Sequence, residues 1–486
     1  MTDSDAGAEA VVIGVDSSTQ STKVETRRLD TGEVVGRGQA PHPATFPPVS
    51  EQEPRDWWRA LVAAIGELGA LRHDVVAIAV AGQQHGLVLT DDTGDPLRPA
   101  KLWNDTTSAS HAARMVREIG AERWAELVGT IPVPSITITK LAWVAEHQPD
   151  VLARTRRVML PHDYLTWRLT GEHVTDRGDA SGTGWYDPVT DAHRDELLAA
   201  AIGDTSFQAA MPRVLGPTEP AGPLTAEAAR TLGLPAGIIV GPGTGDNAGA
   251  ALGLGLRPGD VAISLGTSGV AFAVSATPTR DPSGAVAGFA SASGEFLPLV
   301  CTLNATKVTD TVARWLGVDP AGLAELALAT VDDPGDVAVV PYFDGERTPN
   351  RPDATGSFHG LTTTTTRAQL ALAAHDGVLC GLLDGVDALA AAGASVGGRL
   401  FLVGGGARSG AYRQRLADLS GREVIVADTD ETVATGAAVQ AAVVATGDTF
   451  ADVATRWRLG TGTTVAPAVD ARHRRDTYRA ARRVAG

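Results

Sequence analysis

The sequence predicts an α/β protein built from two related halves, and three observations predict it. Short apolar runs of buried-strand type alternate with helical stretches and glycine-rich turns. The run Val11-Val12-Ile13-Gly14-Val15 breaks into the hydroxyl-rich loop Asp16-Ser17-Ser18-Thr19-Gln20-Ser21. Half a chain later, Val261-Ala262-Ile263-Ser264-Leu265 breaks in the same way into Gly266-Thr267-Ser268-Gly269, which sets Thr267 against Thr19.

Each further element follows from local chemistry. A strand through Val24, the turn Asp30-Thr31-Gly32 and a return from Glu33 to Gly38 make a meander. Ala79-Val80-Ala81 is a strand ending in Gly82-Gln83-Gln84-His85-Gly86. Ile238-Ile239-Val240 leads to the glycine-rich joint Gly241 to Gly245, after which Asp246-Asn247 opens a helical stretch with Asp at a favoured N-capping position. That joint sets the expected division into domains 1–248 and 249–486. In the second half, Val270 to Val274 is the returning strand, and Leu400 to Val403 runs into Gly404-Gly405-Gly406-Ala407-Arg408-Ser409, which opens a helix. Thr366 and Gln369 have capping-box spacing ahead of a long helix from Arg367 to Ala392. Asp470 to Val484 is an Arg-rich terminal helix, and the first ten residues are expected to be mobile.

Composition narrows the function. The chain has 486 residues, 43% apolar and 20% charged, enough for two or three folded domains. Its formal net charge of -16, without any Lys/Arg run, argues against nucleic acid or an anionic membrane as partner. Two cysteines without paired spacing, no leader pattern and no membrane-length apolar run point to the cytoplasm. Only four lysines (Lys23, Lys101, Lys140 and Lys307) stand among 41 basic residues, a hint that some positions want a compact ammonium.

Several chemistries are excluded by pattern. There is no G-x-x-x-x-G-K-[ST], the third glycine of a Rossmann reading at Gly404 falls on Ser409, and no histidine spacing suits zinc. Three loops remain. Asp16 to Lys23 and Gly266 to Gly269 offer backbone N–H groups and hydroxyls suited to phosphate oxygens, and Gly404 to Gly406 let a flat ring approach the backbone. Together they favour a nucleotide. Gln83, Gln84 and His85 at a strand end, with Trp103, Asn104 and Asp105 nearby, suit a polyhydroxyl ligand. Asp246 is placed to accept a proton from an alcohol.

These residues resemble the FGGY carbohydrate kinases over nearly the whole chain. Ser135-Ile-Thr137-Ile-Thr-Lys140-Leu-Ala-Trp143-Val-Ala-Glu146-His147 fits the family's first signature at every constrained position. Gly356-Ser-Phe358-His-Gly360-Leu361, continuing to Asp376, resembles the second and departs from it at His375. Pro161 to Leu165, Asp179 to Thr183 and Gly345 to Pro349 are also similar. The resemblance implies two duplicated ribonuclease-H-like, actin-like ATPase domains with a cleft between them, closing on ATP and a sugar.

It also implies roles by residue. Asp246 would take the proton of the sugar hydroxyl, and Asp16 would support magnesium-bound phosphates, with Asp16 and Asp246 as the Mg2+ positions. Gln84, His85, Trp103 and Asn247 would lie on the sugar. Thr19, Lys23, Gly266 and Thr267 would approach the β- and γ-phosphates, and Gly405 and Gly406 the adenosine. Ser18 stands where glycine is usual, and Gln84 where methionine is frequent. The family also carries an expectation of a homodimer. Two other readings are a member acting on a different ketose, polyol or sugar acid, and a non-catalytic actin-like ATP-binding regulator. The regulator has no need of Gln84, His85, Asp246 or Asn247.

Overall fold

In the computed structural model the described residues are 10–203, 206–332, 334–429 and 431–484. The mobility expected of the first ten residues falls on 1–9, outside the described residues. The chain opens with the meander β1 (Val11–Ser17), β2 (Ser21–Arg28) and β3 (Val34–Pro41), and α1 (Pro54–Gly66) leads to β4 (Val75–Gly82). Next come α2 (Thr137–His147), α3 (Pro161–Thr170) and the one-turn α4 (Arg177–Ala180), and then β5 (Ile239–Val240), β6 (Thr244–Gly245) and α5 (Asp246–Gly253). The second half contains β7 (Val261–Leu265), β8 (Gly269–Ala273), β9 (Phe296–Thr302), α6 (Thr306–Leu316), α7 (Pro320–Leu328), α8 (Arg367–Ala391) and β10 (Leu400–Val403). It finishes with α9 (Gly410–Ser420), β11 (Val424–Ala427), α10 (Thr432–Thr446), β12 (Gly462–Val465) and α11 (His473–Val484).

The two sheets share one plan. In the first, β1 runs antiparallel to β2 and parallel to β4, and the order is β3–β2–β1–β4–β5 with Gly222–Pro223 antiparallel at the edge. In the second, β7 runs antiparallel to β8 and parallel to β10, and the order is β9–β8–β7–β10–β11 with β12 antiparallel at the edge. The short recurrence of strand and loop in the sequence is therefore a duplication of topology.

Two compact units result. Unit 1 comprises Met1–Leu256, Gly288–Leu297 and Glu431–Gly460; unit 2 comprises Arg257–Ala287, Pro298–Asp430 and Thr461–Gly486. This differs from a single division after residue 248, and the alternation along β1 explains the difference. Ile13 and Val15 pack with Trp57, Leu61 and Ile65 of α1. Val12 faces the other way, with Ala77 and Ala79, and is covered by Ala438, Val439 and Ala442 of α10. A sheet buried on both faces needs a helix on each, and the second helix comes from late in the chain. The approach is close: a Cβ on Gly14 would lie 1.9 Å from the Ala434 carbonyl, and one on Gly436 would lie 1.8 Å from that of Gly249 in α5.

Unit 2 is built around Ile263, Leu265 and Leu402, packed with Leu379, Leu382 and Leu383 of α8 and with Leu416 of α9. Both bonds of the Thr366–Gln369 capping box are present at the start of α8. Arg474, Arg475, Arg479 and Arg482 of α11 pair with aspartates within the unit. Arg474 is buried on Asp376, while Arg475 and Arg479 bind Asp384 and Asp387. Asp376 also binds Arg415, which is 1% exposed. No helix among the described residues is long and apolar enough to cross a membrane.

Candidate active site

In unit 1, three strand ends bring the acidic and amide side chains to one sheet edge. Gly82, the last residue of β4, has Ser17 of β1 on one side and Gly245 of β6 on the other. The residues around these ends are Asp16, the Gln83-Gln84-His85 run and Asp246. Open α/β sheets bind ligands at the carboxyl ends of their parallel strands.

Asp16 lies within β1 opposite Lys23, not in the following loop as the apolar run suggested. Its Oδ1 is buried without a hydrogen-bond partner. Burial lifts this carboxyl to about 7, with a further push from Asp246 against the pull of Lys23. Lys23 Nζ lies 2.8 Å from both carboxylate oxygens of Glu431. Thr19 sits in the tight turn closed by Ser18 N–H donating to Ser21 C=O at 3.1 Å. Ser18 is not among the residues with positive φ, so serine costs this turn nothing. The Thr19 hydroxyl donates to Gln83 Oε1 at 3.1 Å and accepts the Trp103 indole N–H at 3.0 Å, leaving the Trp103 ring 43% exposed.

Asp246 is the first residue of α5, and Gly245 holds the N-cap position. The Asp246 carboxylate is therefore not a cap. Its Oδ1 accepts the Asn247 backbone N–H at 2.7 Å and the Asn247 side-chain amide at 2.9 Å. Burial raises it to about 6, against those hydrogen bonds. The same Asn247 amide donates to Gln84 Oε1 at 2.8 Å. His85 takes φ 65°, and its Nδ1–H donates to the Gly182 carbonyl at 2.9 Å. Its ring lies 5.4 Å from that of Phe289.

Behind this edge lies a buried charge cluster. His162 Nε2 is 3.2 Å from Asp163 Oδ1, 3.2 Å from Asp176 Oδ1 and 3.4 Å from Asp179 Oδ2. It is in range for charge attraction but off the line of an N–H bond to any one of them. Burial alone would depress the imidazole, yet the three carboxylates outweigh it and hold it up at about 9. The acidic neighbours thus favour the charged form of His162, while burial pushes the Asp163 and Asp179 carboxyls up as well. The sequence marked this cluster only as two similar stretches, because its members meet through the fold.

Unit 2 carries a cavity of about 800 Å³ lined by Gly266, Thr267, Gly405, Gly406, His375 and Tyr412. The two glycine loops leave one sheet edge because β7 and β10 are parallel neighbours. The Gly266 carbonyl accepts the Thr306 N–H at 3.0 Å, tying this loop to the start of α6. The glycine loop after β10 is a 3-10 turn, Gly405–Arg408, and α9 begins only at Gly410. His375 Nδ1–H donates to the Ala371 carbonyl at 2.9 Å, and its ring stands edge-on 4.7 Å from Tyr412.

The structure therefore gathers Asp16, Thr19, Gln84, His85, Trp103, Asp246 and Asn247 in unit 1, and Gly266, Thr267, Gly405 and Gly406 in unit 2. Lys23 is engaged by Glu431, which sequence reading missed because the partner comes 408 residues later and no local motif announces it. Lys140 is fully buried on the carbonyls of Pro134 and Ser135, and burial pushes it down to about 7. Lys101 pairs with Glu51 and Asp105 beneath the Trp143 ring. Lys307 pairs with Asp344 at 2.8 Å.

A mixed sheet duplicated in two units, with carboxylates at one strand edge and a glycine-lined cavity at the other, defines a class. The chain belongs to the FGGY family of carbohydrate kinases: that family's N-terminal domain matches residues 11–253 and its C-terminal domain residues 261–445. Among similar proteins, the xylulose kinase of Streptomyces coelicolor is 48% identical over 463 residues, covering 95% of this chain and 92% of that one. The xylulose kinase of Escherichia coli is 37% identical over 424 residues, 85% of each chain. The crystal structure of xylulose kinase from Bifidobacterium adolescentis superposes with a TM-score of 0.88 at 42% identity, covering 98% of this chain and 99% of that one.

Proposed function

We propose that this kinase transfers the terminal phosphoryl group of ATP to a hydroxyl of D-xylulose, giving ADP and D-xylulose 5-phosphate. The observation that carries the reading is the strand-end group of unit 1. A half-desolvated Asp246 shares the Asn247 amide with Gln84, next to a second carboxylate, Asp16, that has an orphaned oxygen. Similarity to xylulose kinases along most of the chain supports D-xylulose as the acceptor.

In this reading Gln84, His85 and Asn247 bind the sugar hydroxyls, and Trp103 flanks them. The Asp246 carboxylate accepts the proton of the attacking hydroxyl. Such a base contributes about 10²–10⁴-fold, and positioning supplies much of the remainder. Thr19, Gly266 and Thr267 contact the phosphates through hydroxyls and backbone N–H groups, and Gly405 and Gly406 admit the adenosine. Lys23 acts indirectly, by drawing the Asp16 carboxyl down while it is bound to Glu431.

The buried, unpartnered Asp16 Oδ1 next to the Asp246 charge fits a divalent cation, since a cation relieves both the desolvation and the mutual repulsion. Asp16 and Asp246 would hold Mg2+, which when bound neutralises phosphate charge. ATP-linked sugar chemistry of this kind belongs in the cytoplasm. The test is a panel of ketoses, polyols and sugar acids with ATP, scored by kcat/KM. D-xylulose should lead, and a clear preference for another acceptor class would reassign the substrate.

A further inference from the structure

We infer that Thr244 and Asp176 form a positioning pair that sets the Asp246 carboxylate against the sugar-binding strand end. The inference rests on the reading of Asp246 as the base. Thr244 lies in β6, two residues before Asp246, and is fully buried. Its hydroxyl donates to Asp176 Oδ2 at 3.0 Å. Asp176, 3% exposed, already caps α4 by accepting the N–H of Gly178 at 2.7 Å and that of Asp179 at 3.0 Å. As a cap it is complete with those two bonds. The Thr244 bond is additional, and it links α4 to the segment that delivers Asp246.

The other end of the same turn reaches the sugar side. Gly182, just beyond α4, offers the carbonyl that orients His85, and Ser181 Oγ accepts the Ala290 N–H at 2.8 Å. One turn of chain therefore touches both the base-bearing segment and the histidine at the end of β4. The path of that segment is also constrained from behind. Gly243 takes φ +79°, and a Cβ there would lie 2.6 Å from His162 Nδ1, so the His162 ring packs directly on the backbone before Thr244. His162 in turn faces Asp176. Backbone direction is set by His162 on Gly243, and rotation of β6 is set by the Thr244 hydroxyl on Asp176.

If the hydroxyl served only to fill space, valine would replace it, having the same shape without the bond. If it positions Asp246, valine should leave the fold and lower turnover. A base displaced by about an ångström loses roughly 10²-fold. The experiment compares wild type with Thr244→Val, Thr244→Ser, Asp246→Asn and the double variant Thr244→Val/Asp246→Asn. It reads kcat, KM for D-xylulose, KM for ATP and the thermal midpoint. Thr244→Val should lower kcat by about 10- to 100-fold with KM for ATP within about twofold, and serine should restore kcat to within about threefold. In the Asp246→Asn background the valine should cost nothing further, because its effect runs through Asp246.

A valine variant with kcat within twofold of wild type overturns the proposal, whatever its thermal midpoint. So does a serine variant as slow as the valine, or an additive loss in the double variant. Should the valine variant fail to purify, Thr244→Ala carries the same comparison with serine. Wild-type turnover in Asp246→Asn would sink the reading of the base itself. A dead Asp246→Asn with an unaffected valine variant sinks only the positioning pair.

Discussion

The Asn247 side-chain amide donates 2.8 Å to Gln84 Oε1, joining the first turn of α5 to the residues that follow β4. Gln84 is 6% exposed, and the bond fixes which face of its amide is left for a ligand. Replacing Gln84 with Ala removes the acceptor and strands the Asn247 donor. One hydrogen bond of this kind is worth about 1–1.5 kcal/mol, so KM for D-xylulose should rise about tenfold while KM for ATP holds. Initial-rate kinetics with each substrate varied in turn checks this.

Asp246→Asn should lower kcat by about 10²–10⁴-fold, since the amide cannot take a proton. The Asn247 contacts survive, because an amide oxygen still accepts. Nucleotide affinity, measured by calorimetry, should stay within about threefold of wild type. Loss of nucleotide binding in step with kcat would mean that Asp246 acts chiefly through Mg2+ and the phosphates rather than as the base.

His162 predicts a pH-dependent stability. Its imidazole is raised from 6.5 to about 9 in the fold, so between those values the folded state holds a proton that the unfolded state has lost. The contribution is complete below 6.5 and disappears as pH rises through 9. Lys140 works in the opposite sense. Burial lowers it from 10.5 to about 7, so stability linked to it grows as pH rises across that range. The difference between wild type and His162→Gln reports the imidazole together with the Asp163 and Asp179 carboxyls that it draws down. The gap in thermal midpoint should narrow steadily from pH 6.5 to 9, and a constant gap would mean that the imidazolium is not what the carboxylates hold.

Arg415→Ala should destabilise unit 2. Asp376 and Asp418 are both buried against this guanidinium, and among the described residues Asp376 keeps Arg474 as its cationic partner when it is removed. Breaking a buried pair by deleting one partner costs about 3–5 kcal/mol, which a denaturant titration followed by tryptophan fluorescence will register.

Much of this architecture could be read from residue patterns. The first strand, its hydroxyl turn and their counterpart near residue 261 were visible because buried strands and their loops are local features. Capping at Thr366 was legible for the same reason. What stayed hidden depends on distant packing. Asp16 reads as loop because the apolar run ends at Val15, yet pairing with Lys23 extends the strand through Ser17. Asp246 reads as a helix cap, and only the turn geometry hands that position to Gly245. The arrival of α10 on β1 could not be foreseen either; Gly14, where a Cβ would meet the Ala434 carbonyl, is a trace of it on the strand.

That arrival bears on how the polypeptide matures. Val12, Ala77 and Ala79 wait for Ala438, Val439 and Ala442, so one face of the opening sheet stays bare until almost the entire chain has left the ribosome. A nascent product stopped before residue 432 would display that apolar surface, a handle for chaperones and proteases. The amino-terminal half is translated first but finished late.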